Sequence, residues 1–292
     1  MFLLAHLSDP HLGPMPRPRL LELASKRLLG FINWHWRRHL CHRREVLDAL
    51  VADLMAAAPD HIAVTGDLIN IALEEEFAPA CAWLDRLRPP DRVTFVPGNH
   101  DIYVRSTAQF AAEHWDHYMR GDGVGDTRFP FVRRRGPVAL IGLSTALPTL
   151  PFAASGELGA AQLAKLAELL PRLEDAFRVV LIHHPPLGRR AHHKRLSDAA
   201  PLLRVLAQHG AELVLHGHDH VRSLEWLDGS GGRIPFVGVP SASAAPGSRH
   251  DDPAGYNLYR IAGEPGAWRC EMVARGLRNG AIVEVERRML RG

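Results

Sequence analysis

The sequence predicts an α/β protein. Over the first two-thirds of the chain, short β-branched or aliphatic runs alternate with longer helical patterns. Several of these runs end in polar corners that contain glycine, as strands leading into functional loops do. The 292 residues, of which 46% are hydrophobic, suffice for a sizeable core. In the absence of a repeat or an obvious linker, we expect a single domain over residues 1–292.

The predicted elements follow one another in strict alternation. Strands are predicted at residues 3–8, 61–65, 92–96, 138–144, 178–183 and 212–216. Helices are predicted at residues 45–58, 74–87, 107–119, 159–170 and 198–209. The first of these helices shows the expected spacing, with apolar residues at Val46, Leu47, Leu50, Val51 and Leu54.

Helical patterns stop after residue 216. Strand-like pieces at 221–227, 233–239, 257–261, 268–274 and 281–285 are separated by Gly, Pro, Ser and Asp turns. We therefore expect a β-rich C-terminal part from about residue 221, forming a sheet packed onto the α/β part. Two connections, residues 13–44 and 241–255, are long for their positions, and long connections often carry function.

The basic character of the chain is concentrated in residues 14–44. The whole chain carries a net charge of +3, yet this segment alone has eight cations against the single acid Glu22. Apolar and aromatic residues are interleaved with the cations, namely Leu20, Leu21, Leu23, Leu28, Leu29, Phe31, Ile32, Trp34, Trp36 and Leu40. This is the composition of a helix lying in a membrane interface, which makes an anionic membrane surface a candidate partner. The alternative is that the apolar residues pack on the domain; nucleic acid ranks last, because no matching basic groove follows elsewhere.

The apolar runs and the cysteine content further restrict the class of protein that the sequence can encode. No apolar run approaches the roughly 20 residues of a membrane-spanning helix, and the first strand-like run is too short for the core of a signal peptide. We therefore expect a cytoplasmic protein, peripheral on the inner membrane face if residues 14–44 bind lipid. Three widely spaced cysteines suggest neither a disulfide framework nor a cysteine-based zinc site.

Side chains typical of metal ligands follow five of the predicted strands. They are Asp9, His11, Asp67, Asn99, His183, His218 and His220. In open α/β sheets ligands bind outside the carboxyl ends of strands, so these side chains are expected to converge. Asp9 and His11 stand two positions apart, as do His218 and His220, so each pair is expected to share one face of extended backbone. The glycines before Asp67, Asn99 and His218 are expected to let the backbone approach an ion closely.

This mixture of carboxylate, imidazole and amide ligands indicates the kind of metal. It lacks thiolate and suits Mn²⁺, Fe or catalytic Zn²⁺ better than a structural zinc. Seven ligands are too many for one ion. Two ions that share a bridging carboxylate would use about that number and leave positions open for water and substrate.

The ordered motifs DPH, GDLIN, GNHD, HHPP and GHDH resemble those of the calcineurin-like metallophosphoesterase superfamily, and the resemblance covers about residues 1–220. It implies a four-layer α/β/β/α sandwich with two packed mixed β-sheets. It further implies that Asp9, His11, Asp67 and His220 hold a first metal and that Asp67, Asn99, His183 and His218 hold a second. His183 is chosen over His184 because in the family the ligand directly ends the strand.

The resemblance also implies catalytic and accessory roles. His100 matches the histidine that stabilises the transition state or protonates the leaving oxygen, and Asn70 stands where some members have aspartate, which could alter how His100 is held. His184 is expected beside the ligands or facing substrate. His192 and His193, in a basic loop, are candidate substrate contacts, with a solvated loop as the alternative.

These residues predict a metal-dependent phosphohydrolase, most simply a phosphodiesterase in which a hydroxide between two metals attacks phosphorus in line. The basic and aromatic insert of about residues 13–44, which follows Asp9 and His11, suggests an alternative function. This alternative is hydrolysis, at the membrane surface, of a lipid-linked diphosphate of the UDP-diacylglucosamine type. A third hypothesis is a metal-binding scaffold without turnover, as some relatives use this fold for protein assembly.

Overall fold

The strands of the protein form two six-stranded mixed sheets. A computed structural model describes residues 1–123, 129–188, 191–247 and 251–292, without the side chain of His192. In spatial order the first sheet consists of β12 (Ala281–Arg291), β11 (Arg269–Arg278), β10 (Gly255–Ala262), β1 (Phe2–Leu7), β2 (His61–Val64) and β3 (Val93–Phe95). The second consists of β4 (Phe131–Arg135), β5 (Val138–Gly142), β6 (Phe177–Leu181), β7 (Leu213–His216), β9 (Gly232–Gly238) and β8 (Ser223–Gly229).

Eight helices are described between the strands of the two sheets. They are α1 (Leu20–Leu23), α2 (Arg27–Asn33), α3 (His39–Cys41), α4 (Arg44–Ala56), α5 (Glu74–Leu87), α6 (Ala108–Trp115), α7 (Ala160–Leu169) and α8 (Ala199–His209). A π-helical turn at Trp34–Arg38 joins α2 to α3, and short 3₁₀ turns lie at Arg105–Thr107, Asp116–Tyr118, Leu170–Leu173 and His192–Lys194.

Side chains of a strand point alternately to the two faces of its sheet, so each strand can contact both a neighbouring sheet and a helix layer. On β5, Val138 and Leu140 belong to the core cluster that also includes strands of the first sheet, so these side chains pack between the sheets. Ala139 and Ile141 point the other way, into a second cluster with leucines of α7 and α8. Helix α4 contacts β10 and β12 on the first sheet. The predicted four-layer α/β/β/α sandwich is confirmed.

The topology brings strand ends from both sheets to one edge. Strands β1, β2 and β3 are mutually parallel, as are β5, β6, β7 and β9. Hydrogen bonds continue past the strand ends, from Asp9 N to Gly66 O (3.0 Å) and from Gly217 N to His183 O (3.1 Å). The loops that carry the predicted ligands therefore start next to one another.

Most predicted elements are present, and α5 has the predicted bounds. Strand β4 was missed because its Val-Arg-Arg-Arg run is typical of a solvated loop. In the structure Arg133 is buried and donates from Nη1 to Val93 O (2.6 Å) and Pro90 O (2.7 Å), which satisfies its charge inside the protein.

The expectation of a separate C-terminal sheet is wrong. Strands β8 and β9 extend the second sheet through the parallel pairing of β9 with β7, whereas β10 to β12 extend the first sheet through the antiparallel pairing of β10 with β1. The reason is hydrogen bonding: β1 and β7 would otherwise expose unpaired backbone groups at a sheet edge.

The insert, residues 13–44, forms three short helices and the π turn instead of the one interfacial helix that its composition suggests. Its outer side chains include Leu20, Leu21 and Trp36, which are 87%, 89% and 77% exposed, while Trp34 is buried. Within the described ranges, no helix has both the length and the apolar character needed to cross a membrane.

Candidate metal centre

The seven predicted ligands lie together at the shared edge of the two sheets. His11 Nε2 and His183 Nε2 lie 3.9 Å and 3.5 Å from Asp67 Oδ2. His220 Nε2 lies 3.2 Å from Asp9 Oδ1, and His183 Nε2 lies 3.2 Å from Asn99 Oδ1. The His218 backbone N–H donates to Asp9 Oδ2 (3.1 Å). The described centre thus joins residues more than 200 positions apart in sequence.

The expectation that the i, i+2 pairs sit on extended backbone is wrong. Asp9 and His11 have φ angles of 52° and 41°, and His218 and His220 have φ angles of 73° and 58°. These values lie in the left-handed region, which L-residues seldom adopt. The pairs face one site because a tight left-handed turn follows each strand, not because the strand continues.

The glycines let carboxylate side chains pack close to the backbone, and the predicted close approach to an ion stays a prediction. A Cβ on Gly98 would overlap the Oδ1 atom of Asp67, and a Cβ on Gly217 would overlap Ser8 and Asp9. The carboxylates therefore pack directly against these glycines, and any larger residue there would displace them.

Four of the imidazoles are held through one ring nitrogen by an oxygen acceptor. His183 Nδ1 lies 2.6 Å from Thr65 O, and His11 Nδ1 lies 3.3 Å from Ile69 O. His218 Nε2 lies 3.1 Å from Lys194 O, and His220 Nδ1 lies 3.3 Å from Asp251 Oδ1. Because the oxygen acceptor uses the N–H of one ring nitrogen, each ring directs its other nitrogen inward, where it can bind a metal ion once it carries no proton.

Acceptors converge at the first predicted site. His11 Nε2 lies 3.3 Å from His220 Nε2, and Asp9 Oδ1 is buried without a hydrogen bond from any described residue. Two imidazole nitrogens and a carboxylate oxygen at this separation need positive partners, which a proton, the Arg38 guanidinium on His11 Nε2 or a metal ion can supply. The donor set therefore fits the divalent cation that the sequence predicts.

The second predicted site distinguishes His183 from His184. Both ring nitrogens of His184 are engaged, Nδ1 with Thr145 Oγ1 (2.7 Å) and Nε2 with Ala154 O (3.1 Å), and its side chain is fully buried. His183 keeps Nε2 directed at Asp67 and Asn99. A metal or substrate contact of His184 would require one of its two hydrogen bonds to break, so the ligand role stays assigned to His183 as a prediction.

Asp67 occupies the bridging position between the two imidazole groups. Its Oδ1 accepts the His100 backbone N–H (2.8 Å), and Oδ2 faces His11 and His183. Burial alone would raise the pKa of this carboxyl, but the neighbouring His183 and His100 imidazoles hold it well below its usual range. Asp67 is thus kept as an anion at the centre of the cluster.

Asp101, the last residue of the GNHD motif, holds the ligand-bearing loops through hydrogen bonds to their backbone. It accepts backbone N–H groups of Asp67 (2.8 Å), Leu68 (2.9 Å), Ile69 (3.3 Å) and Gly98 (2.8 Å). One buried carboxylate therefore ties the loop after β2 to the loop after β3.

His100 is held by a backbone group of Asn70 and not by its side chain. Its Nδ1 donates to Asn70 O, while the Asn70 amide donates to Leu12 O (2.8 Å) and Glu76 Oε1 (3.2 Å). Burial, followed by the nearby Arg38 guanidinium, lowers the pKa of His100 to about 3. His100 is therefore a neutral imidazole with its Nε2 lone pair facing Arg38.

Sequence reasoning missed three residues that contact the centre. Arg38 donates from Nη1 to His100 Nε2 (2.9 Å) and from Nη2 to His11 Nε2 (3.2 Å). His42, 4.5 Å from His11 between ring centroids, is bonded to Ser243 Oγ (2.9 Å), and Asp251 faces His220. The length of residues 13–44 and 241–255 was the only signal, because neither segment carries a motif.

The predicted substrate contacts of His192 and His193 stay predictions. The His192 side chain lies outside the described residues, as do residues 189 and 190 of the same loop. His193 is exposed, and its carbonyl accepts a hydrogen bond from Ala154 N (2.7 Å). The loop reaches the centre through the carbonyl of Lys194, which holds His218.

The chain is similar in sequence to a protein family and in fold to several solved structures. The sequence model of the calcineurin-like phosphoesterase family matches residues 2–222. No curated protein matches the chain. The purple acid phosphatase from seeds of yellow lupin (Lupinus luteus) has a similar structure, with a TM-score of 0.55 and 12% identity over 97% of this chain and 52% of its own. This chain therefore spans about half the length of the lupin protein.

Two further solved structures resemble the chain less well. NAD nucleotidase of Haemophilus influenzae has a TM-score of 0.48 and 10% identity, over 98% of this chain and 55% of its own. The calcineurin-like phosphoesterase YfkN of Bacillus subtilis has a TM-score of 0.46 and 11% identity, over 99% and 89%. At these identities the likeness concerns the fold alone.

Proposed function

The chain belongs to the calcineurin-like phosphoesterase family, and from that premise we propose that it hydrolyses phosphodiesters with two bound divalent metal ions. The observation that carries the proposal is the convergence of acceptors at the shared sheet edge. There, His11 Nε2, His220 Nε2 and Asp9 Oδ1 face one another, and a metal ion would satisfy all three.

In this proposal the ligands divide as the family pattern implies. Asp9, His11, Asp67 and His220 would hold one ion. Asp67, Asn99, His183 and His218 would hold the other. Two such ions supply Lewis-acid chemistry, activating water at neutral pH and neutralising phosphoryl oxygens. Mn²⁺, Fe and Zn²⁺ all suit the donor set, because nitrogen and oxygen ligands are mixed without thiolate.

The chain itself contributes orientation and a proton site. The Asn70 carbonyl fixes the His100 ring so that Nε2 points at the cluster. At that atom the neutral His100 ring accepts a hydrogen bond from Arg38, and it would have to take up a proton there before it could protonate a leaving oxygen. The left-handed turns at Asp9 and Asp67 keep both carboxylates in place before substrate arrives.

The direct test is hydrolysis of bis(p-nitrophenyl) phosphate by chelator-stripped protein as Mn²⁺ is added back. We expect activity to return with about two ions per chain. Asp67→Ala should lower both metal content and activity to background, because it removes the bridging anion. Asp228→Ala, at a 94% exposed carboxylate, is the matched control and should behave as the wild type.

The outcomes separate the hypotheses. Full activity of Asp67→Ala would contradict the two-metal proposal. A wild-type protein that binds two ions but hydrolyses no phosphate ester would instead favour the scaffold hypothesis.

A second candidate substrate class is a lipid-linked diphosphate of the UDP-diacylglucosamine type. The supporting observation is the exposed apolar surface of the insert next to the centre. Its side chains are Leu20, Leu21, Leu28, Ile32, Trp36 and Leu40. Lys26 Nζ joins the insert to the loop of the exposed Leu150 and Phe152, through Thr149 Oγ1 (2.5 Å) and Ala153 O (3.0 Å).

Acyl chains could cover such a surface, whereas a cyclic nucleotide would leave it exposed to water. The test compares turnover of UDP-diacylglucosamine in mixed micelles with turnover of a cyclic nucleotide, both with Mn²⁺. Faster cleavage of the lipid-linked substrate would support this class, and cleavage of the nucleotide alone would contradict it.

A further inference from the structure

The insert places a cation inside a centre built to bind cations. Trp34 and Arg38, at the two ends of the π turn, point inward, whereas Trp36 and Arg37 between them are exposed. The Arg38 guanidinium donates from Nη1 to His100 and from Nη2 to His11. Arg38 therefore touches both a predicted metal ligand and the predicted catalytic histidine.

Arg38 is placed firmly because the insert is fastened on both sides of it. Before the π turn, Arg27 donates from Nε to Ile71 O (3.1 Å) and from Nη2 to Ala72 O, on the loop whose Asn70 carbonyl holds His100. After it, His42 is bonded to Ser243, and Arg43 N donates to Ser243 O (2.9 Å). The guanidinium is thus held against the centre by anchors to two separate loops.

The Arg38 contact with His11 cannot persist once a metal occupies the first site. The Nε2 lone pair of His11 serves one partner at a time, either the guanidinium or the ion. A guanidinium beside two divalent ions is also repelled unless an anion lies between them. Its planar fork of N–H groups matches two phosphate oxygens, a geometry that lysine does not reproduce.

We propose that Arg38 is a substrate-binding residue whose guanidinium binds a phosphoryl oxygen of the substrate when the metals are present. This role rests on the proposed function, since it assigns a phosphate ligand to the same centre. Moving Arg38 onto the phosphate also frees His100 Nε2, the atom that would face the leaving oxygen. In this proposal the insert contributes a substrate-binding residue to the active site.

The test measures binding of inorganic phosphate to the Mn²⁺-loaded protein by calorimetry. Arg38→Ala should weaken phosphate binding about tenfold or more, because it removes a charge-assisted hydrogen bond in a partly buried site. Arg38→Lys should restore only part of the loss. Arg37→Ala, at the exposed neighbouring arginine, is the matched control and should bind phosphate as the wild type does.

A second readout distinguishes substrate binding from a merely structural role. If Arg38 competes with metal for His11, Arg38→Ala should bind Mn²⁺ severalfold more tightly than the wild type. If Arg38 only stabilises the fold of the insert, its loss should make the ligand positions less ordered and weaken Mn²⁺ binding. Thermal unfolding of the variant checks that it is folded.

Unchanged phosphate affinity in folded, metal-loaded Arg38→Ala would overturn the inference, as would a wild-type protein that binds two ions but no phosphate. Failure of the proposed function is a separate result. In that case the wild type binds phosphate through Arg38 but hydrolyses no ester.

Discussion

At the scale of single residues, backbone strain marks the metal centre. Asp9, His11, Asp67, His218 and His220 all have φ angles between 41° and 73°. For residues with a Cβ this conformation costs about 1 kcal/mol or more each, and it persists only where the surroundings enforce it. Here the enforcement comes from Asp101 and from the glycines against which the carboxylates pack.

Protons compete with metal ions for two of the predicted imidazole ligands, because carboxylates lie next to these rings. Although burial lowers the pKa of both imidazoles, the Asp67 carboxylate raises that of His183 to about 10, and Asp9 raises that of His220 to about 9. In metal-free protein these rings hold protons at neutral pH. A metal ion must displace them, because it uses the same lone pairs.

We therefore predict that apparent Mn²⁺ affinity rises with pH between pH 6 and pH 8, by about tenfold per unit for an ion that displaces one proton. Titration calorimetry in buffers of different ionisation enthalpy would count the protons released. His183→Ala should release fewer, while His39→Ala, at an exposed histidine of the insert, should match the wild type. Affinity independent of pH would show that the rings are already neutral.

Residue identity could be predicted from sequence only where a motif surrounds it. Asp9, Asp67 and His220 stand in short motifs that follow strands, and the structure brings them together. Arg38 and His42 stand in a segment with seven other cations and no motif. Their contacts with His11 arise from the folding of the insert, which no local pattern encodes.

At the scale of secondary-structure elements, a buried ion pair joins β6 to the loop that enters β7. Arg178 Nε and Nη2 donate to the two carboxylate oxygens of Glu212 at 2.9 Å and 3.0 Å, and both side chains are 8% exposed. The Arg178 backbone N–H donates to the same carboxylate (2.8 Å). The pair therefore ties together two parallel strands whose far ends carry His183 and His218.

Breaking this pair should be costly, because it leaves a charge buried without its partner. We predict that Glu212→Ala lowers the free energy of unfolding by about 3 kcal/mol, measured by urea denaturation. Asp175→Ala is the control: Arg134 also makes two hydrogen bonds to the Asp175 carboxylate, through Nη1 and Nη2 at 2.9 Å each, but that pair is exposed to water. Asp175→Ala should change stability little. Equal effects of the two substitutions would show that burial does not govern the Arg178 pair.

Periodic elements were predictable and irregular ones were not. The apolar spacing in α4 and α5 reflects burial on one face, so helices there follow from sequence. Strand β4 and the short helices of the insert lack such spacing. Their stability comes from hydrogen bonds of Arg133 and Arg27 to distant backbone carbonyls and from the burial of Trp34.

At the scale of the whole molecule, charge and apolar surface coincide on the insert. Three of its cations, Lys26, Arg27 and Arg38, turn inward, while Arg17, Arg19, Arg37, Arg43 and Arg44 are exposed. The exposed cations lie in the same segment as the exposed Leu20, Leu21 and Trp36. An anionic membrane surface suits both features, and we retain it as the proposed partner of residues 14–44.

We predict that the protein co-sediments with vesicles containing phosphatidylglycerol and that high salt weakens this association. Replacing Leu21, Ile32 and Trp36 together by Gln should abolish it, because the inserted apolar surface is lost. Replacing Val283 and Met289 on β12 by Gln removes exposed apolar groups elsewhere and should have no effect. Wild-type protein that stays in the supernatant would contradict membrane binding.

The sequence by itself determined the α/β class, most helices and strands, and the set of candidate metal ligands, because each of these leaves a local signature. Apolar periodicity reports burial, and polar residues at strand ends report a site. Only the tertiary structure decided which ring nitrogens face the cluster, how the C-terminal strands divide between the sheets, and that Arg38 enters the centre. Those features depend on contacts between residues far apart in the chain. His183 meets Thr65 only when the two sheets pack together, and Arg38 meets His100 only when the insert folds back over the loop after β3.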